Sequence, residues 1–189
     1  MINNKRIRIC KDGDISSGRI VYWMSRDQRV TDNWALLHAY EQAILLSQPL
    51  VVIFTLAPAF SIANLRHYDF MLKGLKELEK RLAEKGINFL LLMGEPLSAL
   101  VKYINRNNIS LLVSDFDPLK IKIDWKAKLN NLIAIPHHEV DSHNIVPCWI
   151  ASEKLEFGAY TLRPKIKKQL PEFLTDFPEI MNKIGRAHV

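Results

Sequence analysis

The 189-residue chain is poor in glycine, with 7, and in cysteine, with 2. Seven glycines cannot furnish a glycine-rich phosphate cradle. No G-x-G-x-x-G follows the first strand-like run and no G-x-x-x-x-G-K-[ST] occurs anywhere, which argues against nicotinamide and nucleotide-triphosphate enzymes of the usual kinds. No G-x-S-x-G elbow is present either, which removes the common serine-hydrolase signature. Cys10 and Cys148 stand far apart, in no metal or redox spacing, so a reduced, cytoplasmic setting is the simplest reading. The longest apolar runs, at 50–56 and 89–93, are too short to cross a bilayer, and no membrane partner is expected. Residues 1–9 are basic but lack the apolar stretch of a secretory signal.

What remains is ordinary globular usage, 48% hydrophobic and 24% charged, with a net charge of +6. The positive charge concentrates at Arg163, Lys165, Lys167 and Lys168, and at Lys120, Lys122, Lys126 and Lys128 against Asp124. Aromatic residues do not interleave with these lysines as a single-strand stacking platform requires, so both clusters read as solvated helix faces.

Residues 1–19 are polar and read as an N-terminal arm. From Ile20 the pattern alternates between strand and helix. Runs at 20–24, 50–56, 88–93 and 110–115 have strand length, and a fifth strand is expected to begin at 132–135. Asp32 is expected to cap the first helix. Met71, Leu75, Leu78 and Leu82 recur at the 3.6 period over 65–85, Gly86 closes that helix, and Pro96 suits a first helical position. Asp117 and Pro118 open a helical stretch to Leu129. This order predicts a Rossmann-like, doubly wound α/β domain over 20–151, a five-stranded parallel sheet with helices on both faces. Residues 152–189, with Pro164, Pro171 and Pro178, read as a helical linker tail.

Ligands of such sheets lie beyond the C-terminal strand ends, here 24–29, 56–60, 93–96 and 115–119. Arg26, Asp27 and Arg29 offer two equally weighted readings: a guanidinium beside a helix start holding an acidic or heteroaromatic ligand, or a loop tied to its own helix cap. Glu95, Asp115 and Asp117, each taken alone, read as turn and cap chemistry. His137, His138, Asp141 and His143 are of metal-ligating type. Adjacent histidines on a strand face opposite ways, however, so no metal site is expected.

Five blocks carry a family resemblance, in family order: residues 22–39 (YWMSRDQRVTDNWALLHA), 66–75 (RHYDFMLKGL), 114–120 (SDFDPLK), 140–149 (VDSHNIVPCW) and 161–174 (TLRPKIKKQLPEFL). Together they resemble the N-terminal domain of class II cyclobutane pyrimidine dimer photolyases, from about residue 20 to 178. The resemblance implies a light-driven DNA-repair flavoprotein, a carbon–carbon lyase. Its N-terminal α/β domain holds an antenna, 8-hydroxy-5-deazaflavin or methenyltetrahydrofolate, that passes excitation to FAD. FAD, the damaged DNA and the electron-transfer tryptophans belong to a following C-terminal catalytic domain. The sequence stops where that domain would begin and no position matches the flavin site, so no catalytic residue is expected here and no repair by the chain alone. Residues 182–189 resemble nothing in the family.

An antenna slot needs apolar walls and a few polar anchors. Met24, Phe60, Met71 and Phe116 are expected to supply the walls. Ser25, Arg26, Asp27, Asn33, Glu95, Asp115 and Asp117 are expected to supply the anchors, with Arg26, Asp27 and Glu95 foremost. Asp117 and Lys120 stand where many relatives would carry serine and arginine. Two other readings compete: an adenine-nucleotide-binding regulatory domain, and a purely structural module that docks on a catalytic domain.

Overall fold

The computed structural model describes residues 1–59 and 63–180. It contains six strands, β1 (Ile7–Lys11), β2 (Arg19–Trp23), β3 (Leu50–Leu56), β4 (Asn88–Met93), β5 (Ile109–Asp115) and β6 (His137–Val140). The helices are α1 (Trp34–Leu45), α2 (Leu65–Glu84), α3 (Pro96–Arg106), α4 (Lys120–Leu132), the short α5 (Cys148–Ala151) and α6 (Ala159–Phe173). One sheet has the order β1-β6-β5-β2-β3-β4. β2 to β6 run parallel, while β1 pairs antiparallel with β6, Ile7 opposite Val140.

The expected five-stranded parallel sheet is therefore a six-stranded mixed one. The arm supplies the extra edge strand, whose short run lacks a continuous apolar stretch because it is only partly covered. The fifth expected strand also moves. α4 continues to Leu132, Pro136 follows, and the strand forms at His137–Val140 instead. Asp32 does not cap α1. It adopts φ 53°, and Asn33 is the cap, its side-chain oxygen accepting the Leu36 N–H at 2.9 Å.

Period-two alternation places successive β2 side chains on opposite faces. Ile20, Tyr22 and Met24 join the core under α1 and α2, while Val21 and Trp23 join the core under α3 and α4. On α2 only the inward stripe Leu75, Leu78 and Leu82 is buried, and Gly86 at φ +70 turns the chain out of the helix. From β2 the chain winds outward through β3 and β4, then returns to β5 on the other side of β2. The order reverses between β2 and β5, and there the strand ends part to form a crevice.

Candidate functional site

The junction is built around Asp115, at the end of β5. Its Oδ2 accepts the backbone N–H of Ser25 and of Arg26, both at 2.8 Å, and that of Asp27 at 3.3 Å. Its Oδ1 accepts the Tyr22 hydroxyl at 2.6 Å, and Asn33 Nδ2 donates to that hydroxyl at 3.1 Å. Asp115 and Tyr22 are both buried. Burial raises the Asp115 carboxyl above the usual aspartate range against these donors, and burial beside Asp115 raises the Tyr22 phenol well above its own. The Asp115 carboxylate, the Tyr22 hydroxyl and these amides together bend the chain after β2, which turns Ser25 and Arg26 toward one side.

On that side lies a cleft of about 470 Å³, within the usual size range of small-molecule sites. Phe54 to Ala57 at the end of β3 form one wall, and Tyr68 and Met71 of α2 form another. The Tyr68 hydroxyl donates to Ala57 O at 3.0 Å and ties these walls together. Pro96, Pro118, Leu119 and Trp125 continue the apolar lining from the starts of α3 and α4. Arg26, Gln28, His67, Asp117 and Lys122 bring polar ends to it. The Arg26 guanidinium reaches Phe116 O at 3.5 Å. The Lys122 ammonium lies 4.6 Å from the centre of the Trp125 ring, and burial lowers its pKa from the usual lysine value. His67 Nδ1 accepts the Asn64 N–H at 3.1 Å, which leaves Nε2 to carry the ring proton.

A second constellation lies behind the cleft. Ser114 Oγ is 2.7 Å from His137 Nε2, and His137 Nδ1 is 2.7 Å from Asn130 Oδ1. This chain has the connectivity of a nucleophile, base and orienting group. Ser114 and His137 are buried, however, and Ser114 borders only a cavity of about 10 Å³, room for one water. It is a structural tie. Next to it the buried Glu139 pairs with Lys126 and Arg8. Among the described residues no cluster of three His, Cys, Asp or Glu side chains has metal-binding geometry.

A family model for DNA photolyase matches residues 20–182. The chain belongs to the DNA photolyase family. It is 45% identical over 185 residues to the deoxyribodipyrimidine photo-lyase of Potorous tridactylus, a match covering 95% of this chain and 35% of that protein. The deoxyribodipyrimidine photo-lyase of Arabidopsis thaliana is 42% identical over 184 residues, covering 93% of this chain and 37% of that protein. The chain thus spans about a third of the length of these photolyases, and the match fits their N-terminal α/β domain. The crystal structure of a class III photolyase from Agrobacterium tumefaciens superposes with a TM-score of 0.54 at 19% identity, covering 68% of this chain and 27% of that one, which supports the shared fold.

In this photolyase domain, Ser25, Arg26, Met71 and Asp117 line the cleft. Asp117 Oδ1 also accepts the Leu119 N–H at 3.0 Å. The other sequence-selected residues sit elsewhere. Met24 is buried in the core under α1 and α2, and Asp115 organises the junction from beneath. Asp27 is buried and turned away, 3.3 Å from His143 Nδ1 and 3.4 Å from Arg29. Asn33 is spent on capping α1 and on the carbonyls of Asp27 and Arg29. Glu95 caps α3 through the Ser98 N–H at 2.7 Å. Burial alone would raise its carboxyl, but these helix-end donors outweigh it and hold it below the usual value. Phe116 packs edge-on against Trp149, centroids 5.5 Å apart. Phe60 lies outside the described residues. Trp125, Tyr68, His67 and Lys122 are not among the expected cleft residues, and Lys122 reads from sequence only as part of a positive cluster; each lies within the first two turns of a helix, one or two turns beyond the strand-end positions.

Proposed function

We propose that this chain is the antenna-binding domain of a class II cyclobutane pyrimidine dimer photolyase, and that the cleft takes a flat heteroaromatic chromophore, 8-hydroxy-5-deazaflavin or methenyltetrahydrofolate. The observation carrying this reading is the cleft itself. It sits at the switch point, is walled by Phe54, Leu56, Met71 and Trp125, and carries a few polar ends at its margin. A site that only holds and shields a ring needs apolar faces and orienting hydrogen bonds, not an acid–base pair. The nucleophile–base arrangement of Ser114 and His137 is sealed away from it. The class assignment draws on the five ordered sequence blocks.

A bound antenna would supply absorption of near-ultraviolet or blue light and pass the excitation to FAD. The chain's own residues do the holding. Trp125 and Met71 would exclude water from a bound ring, Phe54 and Leu56 would wall the cleft, and Arg26 and Gln28 would orient polar substituents. In the proposed photolyase, FAD and damaged DNA are bound by a catalytic domain in the portion of the relatives beyond the matched third. The test is direct titration with each chromophore, followed by fluorescence and by melting temperature. Saturable binding, weakened by Arg26→Ala, supports the reading. No response to either chromophore would remove it for this chain.

A further inference from the structure

Arg6 is 2% exposed, an unusual place for a permanent cation. Burying a guanidinium is costly unless its donors are satisfied, and here carbonyl oxygens satisfy them. Nη1 donates to Asn144 O at 2.9 Å and to Asp141 O at 3.3 Å; Nη2 donates to Ile145 O at 2.7 Å and to Phe173 O at 3.1 Å. The rings of Trp34 and Phe173 lie 4.8 and 5.3 Å from its central carbon. One side chain from the start of the sequence thus binds the loop after β6 and the last turn of α6.

The neighbours of Arg6 repeat the pattern. Asn3 Nδ2 and Lys5 Nζ each donate to Glu172 at 2.9 Å, and the Ile2 N–H donates to Glu41 at 3.1 Å. After Phe173 the chain is irregular, and side chains hold its path: the Phe177 ring packs tilted against Trp34, centroids 4.3 Å apart, and Lys85 Nζ donates to Ile180 O at 3.1 Å. Trp34 is therefore shared, with Arg6 and Phe177 both against its ring.

We propose that Arg6 is a positioning residue. With residues 2–5 it forms a clasp that sets the path of residues 174–180 along the α/β unit, and so fixes the cleft relative to the polypeptide that photolyases carry beyond the matched region. Its consequence for excitation transfer, which weakens steeply with separation, rests on the antenna reading. The clasp itself does not.

Backbone ¹⁵N relaxation on the 189-residue chain tests it. Order parameters of residues 174–180 are expected near about 0.85 in the unaltered chain, and below about 0.6 in Arg6→Gln while β2 and β5 keep their values. Should Arg6→Gln fail to fold, Glu172→Ala removes the outer half of the clasp and is expected to give a smaller fall confined to the same residues. Values near about 0.6 in the unaltered chain, unchanged values in the variants, or an equal loss in β2 and β5 would each overturn the proposal. Chromophore titration of Glu172→Ala is a separate readout, expected to match the unaltered chain. Failure of both to bind would defeat the antenna reading and leave the relaxation result to decide the clasp.

Discussion

Two regions adjoin near the ends of β2 and β5, and they are built in opposite ways. Around Asp115 and His137 nearly every donor has an acceptor within the protein, and the side chains are buried. In the cleft beside them the walls are apolar, the polar ends are few, and about 470 Å³ is open. The residues richest in recognisable chemistry, an aspartate in a ring of amides and a serine–histidine–asparagine relay, are those committed to holding the fold. The proposed binding site lies where the protein leaves space beside a small number of polar side chains.

Breaking the dense region carries the largest cost. Asp115→Ala removes the buried acceptor of the Tyr22 hydroxyl, which keeps only Asn33, and of the half-buried N–H groups of Ser25 and Arg26. It is expected to lower stability by about 3 kcal/mol in denaturant titrations and to abolish chromophore binding with it. Acid attacks the same region. Burial pushes His38 down to about 3, helped by His138, and burial pushes His137 down to about 3, helped by Lys126 and His138. Both are neutral in the fold and titrate near 6.5 when unfolded, so the unfolded chain binds more protons below that pH. Their contribution is intact above about pH 6.5 and declines as pH falls toward about 3, at up to about 1.4 kcal/mol per pH unit for each histidine. Denaturant midpoints measured between pH 7 and pH 4 check this; a flat profile would show that the histidines are not held neutral.

Changes in the cleft should separate binding from stability. Arg26→Ala is expected to weaken chromophore affinity about tenfold, about 1.4 kcal/mol, while the melting curve moves by no more than about 0.5 kcal/mol. Ser114→Ala should do the reverse, costing about 1 kcal/mol of stability through the partner lost by His137 and leaving affinity unchanged. A fall in affinity with Ser114→Ala equal to that with Arg26→Ala would erase the distinction between the two regions.

The parallel strands were legible in the sequence because both faces of the sheet are covered, so β3 is apolar but for Thr55 and β5 keeps an apolar centre at Leu111, Leu112 and Val113. β1 was not, because an edge strand half open to solvent keeps Arg8 and Ile9 exposed and carries no such run. The slip from Asp32 to Asn33 reflects two adjacent residues of equal capping power, decided by backbone conformation rather than residue type. For the cleft, strand-end reasoning reached Ser25, Arg26 and Asp117 because they directly follow β2 and β5. It could not reach Trp125 or Tyr68, which approach the cleft from the inner faces of helices. Asn33 and Glu95 have the chemistry of anchors, but local geometry consumes it: a one-turn hydrogen bond to a helix start is available sooner than any ligand. Asp27 is instead turned to His143 and Arg29.

We propose that the apolar cleft lined in part by Trp125 holds the antenna. Titration of the chain and of Trp125→Ala with 8-hydroxy-5-deazaflavin and with methenyltetrahydrofolate, read by chromophore fluorescence, tests it most directly. Saturable binding of one of them by the unaltered chain is expected, weakened at least about tenfold by the substitution. Absence of binding, or identical binding by both proteins, would contradict it.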